Sequence, residues 1–128
     1  MKRLRAVPTT VRFFRDKDRR CVRVDFRGHA IADVSTKYEE DALLDGVCAC
    51  AGVSLLSSFM EILVMLGGAE RYEVRSFNDG PEEVPVKSFR WEADAEAMQI
   101  PVEALYRTVQ ALSVEFYPFV HVQDVLGV

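Results

Sequence analysis

At 128 residues, with 49% hydrophobic and 28% charged content, the chain has the size and mix of a single globular domain spanning 1–128 with length enough to bury a core. Its net charge of −4 gives it no overall basic character, so no nucleic-acid partner is expected, and the basic runs at Lys2 to Arg5 and Asp16 to Arg23 read as solvated hairpin. Three cysteines, an odd number, and a start, "MKRLRAVPTTVRFF", without an apolar stretch exclude a secreted disulfide framework and predict free thiols in a cytoplasmic protein.

"VRFFRD", Val11 to Asp16, reads as a strand, and Lys17 to Arg19 as a polar turn. From Arg20 to Arg27 the residues alternate, with Val22, Val24 and Phe26 on one side and Cys21, Arg23 and Asp25 on the other. That predicts a half-buried strand, hairpinned to the first. Gly28-His29-Ala30 closes it. Ile31 to Gly46, polar and unpatterned around "DVSTKYEED", predicts a long loop over a functional site. Gly46 to Leu66 predicts an apolar helix ended by Gly67-Gly68. Ser54, Ser57, Ser58 and Glu61 interrupt it, which fits a core helix better than a membrane span. Val47, Ala51, Leu55, Ser58 and Ile62 share one face, and Leu56, Met60, Leu63 and Val64 are apolar as well. A helix so broadly apolar needs cover on more than one side, and a homodimer is expected.

Arg71 to Phe77 and Val84 to Trp91 read as strands around the turn "NDGP". Pro101 suits the first turn of a second helix, with apolar spacing at Val102, Leu105, Val109, Leu112 and Phe116. Pro118 ends it, and Phe119 to Val122 adds a short strand. The predicted fold is an α/β (α+β) two-layer sandwich in ββαββα order, with a mainly antiparallel sheet and two helices.

"GVCACAGVSLL", Gly46 to Leu56, carries two thiols where that helix is expected to begin. Cys48, Cys50, Cys21 and His29 are all possible zinc ligands. Two residues along a helix is a rotation of about 200°, so Cys48 and Cys50 could share one ion only if the helix starts after Cys50; the usual Cys-x-x-Cys spacing is absent, and neither metal nor cofactor is expected. Oxidation to a Cys48–Cys50 disulfide is disfavoured by the same geometry. Simple packing suits Cys21, inside a strand, and one of the pair. Nucleophilic chemistry needs a thiolate and a proton acceptor, and His29, at a strand end facing the helix start, is the candidate base. His121, between Val120 and Val122, reads as structural.

The chain resembles the Prp family, the ribosomal-processing cysteine proteases of bacteria, on "GHA" at Gly28 to Ala30, "CAGVS" at Cys50 to Ser54, and "FYPFV" near the C-terminus. The resemblance covers most of the chain. It implies a His29/Cys50 dyad with Gly28 and Ser54 in support, Ser54 lying one helical turn after Cys50. Matching the family's Asp-x-Val to Asp45-Gly46-Val47 instead makes Cys48 the nucleophile and puts Gly52 where the serine belongs. Ile31 replaces a glycine usual in the family, and the loop after it is longer. The implied activity is removal of the N-terminal extension of a large-subunit ribosomal protein, in support of ribosome assembly. A catalytically inactive binding module with the same fold is the alternative.

Overall fold

Strands form where residues alternate and helices where small and straight-chain residues run together, and both outcomes are visible in the computed structural model. It describes residues 7–29 and 40–128. The elements are β1 (Val7–Arg15), β2 (Cys21–His29), α1 (Glu40–Leu63), β3 (Tyr72–Asp79), β4 (Val84–Trp91), α2 (Glu96–Glu115) and β5 (Val120–Val125). The sheet order is β3-β4-β2-β1-β5. The β1–β2, β2–β4 and β3–β4 ladders are antiparallel, as the hairpins require, but β5 joins β1 in parallel. The sheet is therefore mixed, because the α2 crossover returns the chain to the far edge in the same direction as β1.

Both helices pack on one sheet face. Val11, Phe13, Val24, Phe26, Phe89 and Trp91 meet Ala49, Val53, Met60 and Val64 of the first helical segment and Met98, Val102, Leu105 and Val109 of α2 in one buried cluster. The opposite, outer face carries Arg12, Arg23, Arg27, Arg75 and Arg90, by the register of β1 to β4. Asp25, 4% exposed, lies among them and accepts two hydrogen bonds from Arg23, at 2.8 and 2.7 Å, and one from the Ser88 hydroxyl.

Cys21 departs from its expected side. A register shift between Phe14 and Arg15 breaks the alternation at Val22 and turns Cys21 into the core, where it is 1% exposed. Its backbone N–H donates to Gln99 Oε1 at 3.0 Å, and its carbonyl accepts from Gln99 Nε2 and Trp91 Nε1. Burial pushes its thiol up to about 11.

Two helix starts also differ from expectation. α1 begins at Glu40, so 40–46 is helix rather than loop; Glu40 and Asp41 suit a helix N-terminus, and Ala42, Leu43 and Leu44 propagate it through Gly46. The remainder of the expected loop, 30–39, lies outside the described residues. α2 starts at Glu96, placing Pro101 inside the helix. The last helical turn, Val64–Gly68, widens and stops at Gly67, whose φ is +88°.

Because the folded thiol ionises near pH 11 and an unfolded one near 9, Cys21 favours the folded state below pH 9, and that contribution is lost as pH rises to 11. Chemical denaturation across this window should show a loss of stability that shrinks by up to about 3 kcal/mol in Cys21→Ala; equal pH slopes in the two proteins would contradict it.

Candidate active site

α1 crosses the sheet with side chains that change size along one stripe. Gly46, Ala49, Val53 and Met60 are its buried positions among the described residues, and Val64 continues them in the turn that follows. Beside them, the edge that faces the sheet between Cys50 and Ser57 carries only short side chains, which leave space there. The result is a cleft of about 390 Å³ between α1 and the sheet, a volume within the range of small-ligand and peptide sites. Cys50, Val53, Ser54 and Ser57 form its helical wall. Thr9 of β1 and Phe26 and Gly28 of β2 form the floor at one end; Pro85 to Lys87 of β4 and Ser76 to Asn78 of β3 form the other.

The candidate residues fall into place unequally. Cys50 is half-buried and faces the cleft together with Ser54 and Gly28, while Cys48 is exposed and does not line it. The two thiols thus diverge, as helical rotation dictates. Gly28 has φ +94°, a conformation that disfavours any side chain, and the β1–β2 register shifts beside it, between Val7 and Thr10. The alternation that sets Asp25 and Arg27 on the outer face is interrupted just before His29. His29 is the last residue of β2, one peptide unit from the cleft-lining Gly28; its side chain lies outside the described residues, and so does the Cys50–His29 separation.

One expectation is overturned. Cys50 does not sit at a helix N-terminus: ten residues of α1 precede it. Its N–H belongs to the i→i−4 ladder, so neither the free amides nor the dipole of a helix start act there. The donors the cleft offers beside Cys50 are instead the hydroxyls of Ser54 and Ser57. Ser57, and the Lys87–Glu61 ion pair of 2.7 Å that ties β4 to α1 at the cleft wall, were not singled out from sequence. Ser57 carries the same helical spacing as Cys50 and Ser54, at i+7 and i+3, which is the signal that marks it. Among the described residues no cluster of His, Cys, Asp and Glu suits a metal ion.

A two-layer α/β fold with a cysteine-walled cleft beneath its first helix defines the class. Within it, the chain is similar to the ribosomal processing protease Prp from Staphylococcus aureus. The crystal structure of Prp with a covalently linked product peptide matches at 14% identity and a TM-score of 0.62, covering 91% of this chain and 98% of that one. Prp with a substrate peptide matches at 15% identity and a TM-score of 0.53, with the same coverage. SMU.848 from Streptococcus mutans matches at 21% identity and a TM-score of 0.64, covering 93% of this chain and 95% of its own. No protein-family model and no curated protein matches the sequence. At these identities the likeness is one of fold.

Gly28→Ala should cost roughly 1–2 kcal/mol of stability, the price of a side chain in left-handed backbone, read as a lowered denaturation midpoint. An unchanged midpoint would mean that the strand end relaxes freely.

Proposed function

We propose that the protein is a cytoplasmic cysteine endopeptidase acting on a ribosomal protein that carries an N-terminal extension. The observation that carries this reading is Cys50 opening, with Ser54 and Gly28, into a cleft on a fold similar to Prp structures with bound peptides. The peptide lies across the strands beneath α1, its apolar side chains against Phe26, Val53, Phe77 and Pro85. Cys50 attacks the scissile carbonyl as a thiolate, after His29 has taken its proton. His29 returns that proton to the leaving amine, and water then releases the acyl-enzyme. Ser54 and Ser57 donate hydrogen bonds to the thiol or the oxyanion, the task once expected of a helix start.

Incubation with the extended ribosomal protein should yield the shortened form. Cys50→Ala should lower the rate at least about a thousandfold, as removal of a nucleophile does, and Cys48→Ala should leave it near wild type. The reverse pattern would make Cys48 the nucleophile. The absence of helix-start amides at Cys50 favours a second reading, a binding module without catalysis. Saturable binding of the peptide with no cleavage by wild type would select it.

The homodimer belongs to the same proposal. Leu55, Phe59 and Ile62 of α1 and Leu66 of the turn that follows are exposed, Leu55 and Leu66 by 72% and 82%. Their steps of four, three and four residues make one apolar seam. Gly46–Gly68 is long and apolar enough by composition to cross a membrane, but the same seam pairs equally well with a second copy of itself about a two-fold axis. Sedimentation should give twice the 14.5 kDa chain mass, and Leu55→Glu with Leu66→Glu should return the single-chain value. Wild type sedimenting as one chain would remove the dimer.

A further inference from the structure

The outer sheet face has a pattern that only the strand register reveals. One row across the strands reads Glu73, Arg90, Arg23, Phe14; the next reads Arg75, Ser88, Asp25, Arg12. Both helices lie on the other side, so among the described residues neither covers these rows. Arg23, Arg75 and Arg90 surround a hollow of about 180 Å³, with Ser88, Phe77 and Glu73 completing its wall. Asp25 is buried under Arg23 and holds it in place, with the guanidinium 4.5 Å above the Phe14 ring. Arg75 is 70% exposed beside Glu73. Arg90 is exposed and makes no ion pair among the described residues. A partner meeting this face therefore meets guanidinium groups first, although the whole chain carries −4.

We propose that this hollow and the rows around it bind single-stranded nucleic acid through its phosphates. Planar guanidinium forks match phosphate oxygens. Phe77, 39% exposed at the sheet edge, and the Arg23 plane offer stacking surfaces for unpaired bases. This sheet face presents no helix to enter a duplex groove, which favours single strands over duplex. The arginines of this site lie on the sheet face opposite the cleft, so it stands apart from the protease reading, although Phe77 at the sheet edge borders both.

The test is fluorescence anisotropy of a labelled oligouridylate of about twelve nucleotides with the whole chain. Binding should weaken roughly twentyfold between about 50 and 200 mM salt, the slope for some three neutralised phosphates on a single strand. Arg75→Glu with Arg90→Glu should lower affinity at least about tenfold with an unchanged melting temperature, while Arg71→Glu with Arg107→Glu, two exposed arginines outside the hollow, should change it less than about twofold. No binding at the lower salt, or equal losses in both double variants, would overturn the proposal. So would a poly-glutamate peptide that displaces the RNA at equal concentration, since the face would then be one for acidic proteins.

Discussion

The shortness of the side chains on the cleft-facing edge of α1 is the constraint on which the site depends. Met60 and Val64 press the second half of the helix onto the sheet, and interiors close up wherever such side chains meet. Cys50, Ser54 and Ser57 are too short to do the same over the cleft. Its helical wall is made of the small polar and sulfur-bearing residues that left it open. Packing and site are two readings of one stripe: enlarging Ser54 or Ser57 would fill the space that a substrate needs.

Much of this was legible in the sequence where the signal is local. The two hairpins are announced by alternation and turn residues, and Gly28 of "GHA" and Cys50 and Ser54 of "CAGVS" do line the cleft. What escaped depends on distance or register. The start of α1 was hidden because Gly46 imitates a boundary, and the acids at Glu40 and Asp41 look like loop when no apolar stripe precedes them. Cys21 was placed on the wrong side because a bulge shifts alternation without leaving a residue type behind. The parallel pairing of β5 is a property of the crossover, and no single stretch encodes it. Ser57 was readable, since its spacing from Cys50 and Ser54 is helical, but serines in an apolar helix are easily taken as mere interruptions.

The same division separates the two faces of the sheet. On the inner face, identity is dictated by packing, and the apolar pattern of each strand reveals it. On the outer face the arginines are scattered through four strands, separated in sequence by up to 78 positions between Arg12 and Arg90. Composition averages them against acids elsewhere. Only when the ladders bring Arg23 and Arg90 side by side does a local charge emerge that the total conceals.

Gln99 gives the fold one further property. Its amide meets both the N–H and the carbonyl of Cys21, as a neighbouring strand would, and the single tryptophan, Trp91, bonds the same carbonyl at 2.9 Å. The indole is 4% exposed and sits four residues along β4 from Lys87 at the cleft wall, about 13 Å away at strand rise. The molecule thus carries its own optical gauge of the junction between α2 and β2. Tryptophan emission will follow unfolding of that junction while staying nearly blind to what enters beneath α1, so folding and occupancy can be read apart in one sample.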